Sequence, residues 1–580
     1  MCGLAGEIRF DGRAADIGAL ERSCTRLAPR GPDGSGVWAN GPTALGHRRL
    51  AIIDLSSAGA QPMTDPQLGL TVVFNGCIYN YEALRDELAG RGHRFFSHAD
   101  TEVILKAYAQ WGVECVHRFK GMFAFAIAER DSGRLVLARD RLGIKPLYLD
   151  RTADRLRFAS SLPALVAAGG VDTSIDPVAL AHYMTFHSVV PAPRTILTGV
   201  RKLPPATVRV IEPDGTSNDT CYWDPPFTRD PDRADWTERD WQDAVVAALR
   251  VAVERRMVAD VPVGVLLSGG IDSSLVVALL AEAGQTGLQT FSIGFDSAGD
   301  ESGDEFEYSD VVAARFGTDH HRIKIDSRRL LPAIDAAVAA MSEPMVSHDC
   351  VAFYLLSQEV AKSVKVVQSG QGADEVLGGY DWYPPLANVD RADAVDAYAR
   401  VFFDRSFGDL AKLLNPEWLI DAGDSAAPLR WISEQFGRPG AQSALDAALR
   451  NDSEIMLVDD PVKRVDNMTM AAGLEARVPF LDHDFVELAA RIPPALKLAD
   501  GGKGVLKRAS RGIVPDEVID RTKRYFPVPA IRQLEGPYLE RVRDALTDPA
   551  AAKRGLFRAD AVESMLADPN TTRTTLGSNA

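Results

Sequence analysis

The sequence predicts two domains of different construction: an antiparallel α+β layer domain, then an α/β domain built on a parallel sheet. Three observations carry this prediction. At 580 residues the chain is too long for one hydrophobic core. Up to about residue 210, short β-type runs alternate with turns, and helical periodicity is confined to brief stretches. Beyond residue 240, continuous apolar strands alternate with helices, the pattern of a sheet covered on both faces.

In the first half, expected over 2–211, the clearest strands are LTVVFNG (70–76), MFAFAIAE (122–129) and RLVLARD (134–140). Helical spacing marks YEALRDELAGRG (81–92) and TEVILKAYAQWG (101–112). The stretch 212–240 is rich in Asp, Pro, Thr and Arg, has no sustained period, and is expected to be the connection. DWQDAVVAALRVAVERRMVAD (240–260) reads as a long amphipathic helix opening the second domain, expected over 241–567. VPVGVLLSGGIDSSLVVALLAEAG then reads as strand, Gly-rich turn and helix. LQTFSIGF (288–295) and VKVVQSG (364–370) repeat the strand-then-turn theme, and 568–580 is expected to be a polar tail.

Apolar residues make up 46% of the chain and charged residues 25%, the proportions of ordinary folded domains. A formal net charge of −16 argues against nucleic acid or an anionic membrane as a general partner. No basic-then-apolar leader opens the chain and no apolar run is long enough to span a bilayer, so a cytoplasmic location is expected. The six cysteines (Cys2, Cys24, Cys77, Cys115, Cys221, Cys350) are scattered without a CxxC pair, which suits neither a disulfide framework nor a zinc site.

Cys2 follows the initiator methionine directly in MCGLAGEI. With the methionine removed, its thiol and a free α-amine share one residue. Such an amine titrates near about pH 8 and can take the thiol proton directly or through a water, giving a nucleophile and its base. A small residue that merely permits methionine removal is the alternative that Cys2 by itself leaves open.

The loop SGGIDSS (268–274) joins a buried strand to a helix. Gly269 and Gly270 allow a sharp turn that exposes amide N–H groups, and Ser268, Ser273 and Ser274 add hydroxyl donors. The helix beginning here turns its positive end to the same place, which suits an anion, and Asp272 can hold the magnesium that accompanies it. A capped strand-to-helix turn needs fewer such residues. No GxxxxGK[ST] pattern occurs, so the grip differs from that of kinase-like phosphate loops. A second loop, SGQGADEVLGGY (369–380), leaves another strand of the same sheet and brings Asp374 and Glu375. Ligands in such sheets bind beyond the carboxyl ends of adjacent strands.

SGGxDS resembles the pyrophosphate loop of ATP pyrophosphatases, and nearly the whole chain resembles the glutamine-hydrolysing asparagine synthetase family. MCG, RGPDGSG (30–36), GHRRLAIIDLS (46–56), NGCIYNY (75–81) and DTEVILKAY (100–108) carry the resemblance in the first half. LLSGGIDSS, FSIGF (291–295), SGQGADE, DNMTMAAGLEARVPFLD (466–482) and the lysine of GGKGVLKRAS carry it in the second. The resemblance implies an αββα Ntn-type glutaminase followed by an ATP-pyrophosphatase-type α/β domain. It implies Cys2 as nucleophile, Asn75 and Gly76 as the oxyanion hole, and Arg48 and Asp100 for the carboxylate and amine of glutamine. Around ATP and pyrophosphate it places Leu266, Ser268, Gly269, Gly270, Asp272, Ser273, Ser274, Ile293, Ser369 and Gly370. Asp272 and Asp374 would serve Mg2+, and Lys503 would neutralise phosphate charge. Glutamine, ATP and a carboxylate acceptor are the implied partners, with no organic prosthetic group and a homodimer as the assembly. Ammonia would pass through an internal tunnel to displace AMP from an acyl-adenylate.

Two departures bear on the acceptor. Asparagine synthetases usually read NGEIYN and SGEGxDE, where this chain has Cys77 and Gln371. A glutamine amide cannot take a proton at neutral pH. The segment SEPMVSHDCVAFYLLS also lacks an acidic start. Together with QSGQGADEV and FPVPA (526–530), this resembles the N-acetylglutaminylglutamine amidotransferase branch, which amidates an acetylated dipeptide to make an osmolyte. Three other readings stand beside it. They are asparagine synthetase proper with aspartate as acceptor, a β-lactam synthetase-like cyclase, which the intact Cys2 with Arg48 and Asp100 argues against, and a non-catalytic sensor of glutamine or nucleotide. The chain is also expected to end earlier than its relatives, which usually continue past LGSNA.

Overall fold

The computed structural model describes residues 2–296, 303–345, 349–421, 427–522 and 534–571. Its first part contains two antiparallel sheets. One is made of β1 (Gly3–Arg9), β2 (Gly34–Asn40), β3 (Thr43–Arg49), β8 (Tyr148–Arg151), β9 (Arg155–Ala159) and β10 (Val200–Lys202), ordered β10-β8-β9-β1-β3-β2. The other is made of β4 (Met63–Asp65), β5 (Leu70–Ile78), β6 (Gly121–Glu129), β7 (Leu135–Arg139), β11 (Thr207–Ile211) and β12 (Ser217–Cys221), ordered β12-β11-β7-β6-β5-β4.

Period-two alternation puts each sheet between two apolar layers. Val73 of β5, with Leu4, Leu45, Ala124, Leu137 and Phe158, fills the space between the sheets. Its neighbours Val72 and Phe74 face the other way, onto the helices Tyr81–Gly90 and Asp100–Trp111. Ala5, Ala44 and Ala159 cover the far side of the first sheet beneath the helix Ile17–Arg26. The result is helix, sheet, sheet, helix: the αββα sandwich.

The expected connection begins later than the sequence suggests. β12 pairs with β11 from Ser217 to Cys221 and completes the second sheet. All five of its residues are exposed, so the strand has no buried alternation for a sequence to display. A capping box of Thr237 and Asp240 then starts the helix Glu238–Arg255.

The second part is built on β13 (Val263–Leu266), β14 (Gln289–Gly294), β15 (Asp319–Lys324), β16 (Val366–Gln368) and β17 (Glu475–Arg477). All neighbours pair in parallel, in the order β15-β14-β13-β16-β17. Val265 packs with the helices Glu238–Arg255 and Ile271–Glu282 on one face. Leu266 packs with Phe353, Leu356 and Ala337 on the other. From β13 the chain winds outward to β14 and β15, then returns to place β16 on the opposite side. The crevice between β13 and β16 is therefore the switch point where ligands of such sheets bind.

The two parts share a core. Cys77, Tyr79, Met122 and Ile144 of the first are continuous with Val265, Leu275, Phe480 and Leu481 of the second. Within this interface Asp466, on the helix Lys463–Met470, accepts from Arg30 Nη1 at 2.9 Å and from Lys145 Nζ at 3.3 Å. Burial raises the carboxyl pKa, but Arg30 and Lys145 together outweigh it and hold Asp466 below its ordinary value. Among the described residues no helix is long and apolar enough to cross a membrane. Asp466→Ala leaves two buried cations without their shared partner and is expected to lower stability by about 3–5 kcal/mol, read by urea denaturation of the full chain.

Candidate active sites

Cys2 enters β1 buried, and its backbone N–H donates to Asn75 Oδ1 at 3.0 Å. Its thiol donates toward Leu50 O at 3.9 Å, and burial pushes the thiol pKa up. Asn75 is itself fully buried in β5, and its Nδ2 has no hydrogen-bond partner among the described residues. A buried amide N–H left unpaired is costly unless a ligand takes it. Gly76 follows with φ +155°, and a Cβ there would stand 2.1 Å from Met122 O. Only glycine lets β5 run this close to β6, and Gly76 lines the cavity at Cys2.

The cavity at Cys2 is lined by Arg49, Gln61, Gly76, Asp100 and, from β17 of the second part, Glu475 and Arg477. Asp100 opens the helix Asp100–Trp111 and accepts from Ile78 N at 3.0 Å. Burial pushes its carboxyl up to about 6, so it is ionised at neutral pH and can meet an ammonium group.

Arg48 does not face this cavity. Along β3, Ala44, Gly46 and Arg48 point to the helix Ile17–Arg26, where Arg48 Nε donates to Cys24 O at 2.9 Å. Leu45, His47 and Arg49 point the other way, with His47 bonded to Phe74 O and Arg49 turned to the Cys2 cavity. Arg49 is braced on the carbonyls of Asp54 and Ser56. Strand alternation thus puts Arg49, and not the expected Arg48, at the Cys2 cavity.

Cys77 is buried at the same wall, with its thiol pushed well up by burial. Arg477 Nη2 lies 3.8 Å from its sulfur and Arg477 Nε donates to Glu475 at 2.6 Å. Burial raises the Glu475 pKa, yet nearby cationic charge, Arg477 included, outweighs it and brings the group to about 2.

The second site lies at the β13/β16 switch point. Ser268, Gly269 and Gly270 turn from β13 into the helix Ile271–Glu282; Gly269 has φ +72°, and a Cβ on it would meet Tyr308 at 2.7 Å. Ser268 Oγ and Ser273 Oγ are 3.2 Å apart, and Gly270 N donates to Ser268 Oγ at 3.3 Å. Ser274 is buried one residue further along the helix. The loop after β16 presses against this turn: a Cβ on Gly370 would stand 2.9 Å from Ser273 N. Ser369 N is held by Arg477 O at 2.8 Å. Leu266 and Ile293 share one apolar cluster at the ends of β13 and β14.

Lys503 unites these loops. It caps the helix Gly504–Ala509 in the left-handed region, with φ +54°. Its Nζ is 2.7 Å from Asp272 and 2.9 Å from Asp374. Burial disfavours the ammonium, but the two carboxylates outweigh it and raise the pKa above the ordinary lysine value. Glu375, pushed up to about 7 by burial and by Asp374, accepts from the Tyr380 hydroxyl at 2.6 Å. Gln371 is half-buried in the same turn, whereas Ser347 and FPVPA lie outside the described residues.

Residues 1–223 match the glutamine amidotransferase domain family and residues 244–579 match the asparagine synthase family. Asparagine synthetase [glutamine-hydrolyzing] 3 of Bacillus subtilis is 31% identical over 91% of this chain and 87% of its own length. Asparagine synthetase [glutamine-hydrolyzing] 1 of the same organism is 31% identical over 94% and 90%. A putative asparagine synthetase [glutamine-hydrolyzing] of Mycobacterium bovis is 34% identical over 91% and 88%. Among solved structures, the B. subtilis glutamine phosphoribosylpyrophosphate amidotransferase complexed with ADP and GMP has 18% identity and a TM-score of 0.30, covering 50% of this chain and 65% of that one. The chain belongs to the asparagine synthase family, and is a carbon–nitrogen ligase of its glutamine-dependent class.

The alternation along β3 sends two adjacent arginines to opposite faces of the sheet. Arg49→Met should raise the KM for glutamine by roughly ten- to a hundredfold, the loss of one charge-assisted contact. Arg48→Met should leave that KM within about threefold, both read by glutamate release.

Proposed function

We propose that the chain hydrolyses glutamine at Cys2, passes the ammonia internally, and amidates a carboxylate that it first adenylates with ATP. The observation that carries this reading is Asn75, whose Oδ1 holds the Cys2 N–H while its buried Nδ2 has no partner among the described residues, beside Gly76 in the wall of the Cys2 cavity. With the initiator methionine removed, the Cys2 nitrogen becomes the amine that takes the thiol proton. The thiolate adds to the side-chain amide carbon of glutamine while Asn75 and Gly76 receive the oxyanion. The carbon–nitrogen bond breaks, ammonia leaves, and water cleaves the thioester to glutamate. Arg49 and Asp100 orient the amino-acid end of the substrate.

At the second site the serines and N–H groups of the 268–274 loop bind the polyphosphate, and Lys503 offsets its charge. Asp272 and Asp374 converge on one cation, Lys503, so they are the oxygen donors that would hold Mg2+ together with the phosphates. Magnesium bound there would shield phosphate charge. Arg30, which donates to Cys2 O at 3.3 Å and to Asp466, ties the first site to the second part of the chain.

The acceptor we favour is N-acetylglutaminylglutamine, amidated at its C-terminal carboxylate. Gln371, at the turn beside Asp374 and Glu375, supports it, since a neutral amide there pairs with the amides of a capped dipeptide. Aspartate is the second reading, favoured by the buried carboxylate Asp460, whose ion pair with Arg464 is a loose 3.8 Å.

Cys2→Ala should reduce glutaminase activity by at least about a thousandfold while leaving amidation by added ammonium intact; glutamate release and AMP formation are the readouts. A second comparison gives the chain aspartate and the acetylated dipeptide at equal concentration and follows AMP release. Faster release with the dipeptide is expected, and amidation of aspartate alone would establish the second reading.

A further inference from the structure

Arg521 stands at the mouth of the 268–274 loop, outside the motifs that identify the site. Its Nη2 pairs with Glu305 at 3.1 Å and lies 3.9 Å from where a Cβ on Gly270 would be. Its guanidinium covers the ring of Tyr308 at 4.9 Å, and Tyr308 in turn abuts Gly269. The side chain is only 9% exposed, and its Nη1 has no hydrogen-bond partner among the described residues. Burying a guanidinium with one nitrogen unsatisfied is costly, so a strong acceptor is required there when the site is occupied.

Two independent features point to the same ligand. The helix Ile271–Glu282 begins at this turn, where its first N–H groups suit an anion and the hydroxyls of Ser268 and Ser273 stand 3.2 Å apart. Lys503, the other cation at this crevice, already has two carboxylate partners, Asp272 and Asp374. We infer that Arg521 contacts the β- and γ-phosphates of ATP and holds them as the pyrophosphate leaving group. In the adenylation step an acceptor carboxylate oxygen bonds to the α-phosphorus. The bond from that phosphorus to the bridging oxygen breaks, and the electron pair leaves with pyrophosphate. The guanidinium receives the negative charge that grows on the departing group. Glu305 and Tyr308 fix its plane, so it is presented as a preformed fork.

This inference rests on the adenylating reading, and the test separates the two. Wild-type, Arg521→Ala and Arg521→Lys full-length chains are compared for AMP formation against ATP concentration, with pyrophosphate as product inhibitor. Glutamate release from glutamine reports that each variant is folded. Arg521→Ala is expected to lose roughly ten- to a hundredfold in kcat/KM for ATP and to weaken pyrophosphate inhibition similarly, with partial recovery in Arg521→Lys. Calorimetric binding of magnesium pyrophosphate to the same chains decides the point without turnover. If Arg521→Ala does not fold, Arg521→Lys alone should still lose affinity, because an ammonium cannot reproduce a two-pronged contact. Pyrophosphate affinity unchanged within twofold in the folded variants overturns the inference. Wild-type release of ADP and phosphate, with AMP absent, overturns the adenylating reading instead.

Discussion

The architecture turns on one buried carboxylate. Asp466 is 3% exposed and belongs to the second part of the chain, yet both its cationic partners, Arg30 and Lys145, belong to the first. Arg30 also reaches the carbonyl of Cys2, so the nucleophile's own backbone is positioned by a side chain that leans on the other half. Seven residues after Met468 on the same stretch of chain comes Glu475, the acidic wall of the glutamine cavity. A buried ion pair is weak evidence of net stability, because desolvation offsets much of its attraction. Its value here is registry: breaking it strands charge, so the two parts are held in one relative placement.

A second buried set repeats the logic at the opposite edge of the first sheet. Lys202 of β10 donates to Glu343 at 3.1 Å and to Asp459 at 2.7 Å. Asp459 lies in a stretch, Val458–Val462, wound as a π-helix that contains Pro461. Proline removes one backbone donor, and π-type winding tolerates that loss while widening the turn, a distortion frequent at functional sites. Lys503 adds local strain of another kind, since a left-handed lysine costs on the order of 1 kcal/mol or more and persists only where its surroundings impose it. Asp272 and Asp374 are those surroundings.

How legible each feature was depended on whether its cause is local. β5 and β6 are strands of nine residues each, mostly apolar, and their buried pattern is plain in the sequence. The 268–274 loop declared itself because turn, donors and helix start are consecutive. β12 did not, since an exposed edge strand has no periodicity to read. Arg48 and Arg49 are indistinguishable by composition, and only the strand direction of β3, fixed by Leu45 and His47 pointing inward, separates them. Glu475 and Arg477 reach the Cys2 cavity from about 400 residues away, and nothing in local spacing announces such an approach. Arg521 is identified only by the atoms it leaves unpaired.

The acceptor question narrows to one side chain. Of three buried carboxylates in the second part, Asp459 is taken by Lys202, and Glu343 by Lys202, Lys463 and the N–H of Ile196. Asp460 has a looser ion pair, 3.8 Å from Arg464. It is also close enough to Tyr380 to add to the upward push on that hydroxyl, behind burial, Glu375 and Asp374. Tyr380 bonds to Glu375, next in sequence to the Asp374 that Lys503 grips, so Asp460 stands within electrostatic reach of the loop that carries both. On the proposed chemistry, an ammonium group arriving with aspartate would need a carboxylate partner, and a capped dipeptide would not. A buried ammonium without such a partner is costly, so a loosely held carboxylate such as Asp460 would favour aspartate and a fully engaged one would not.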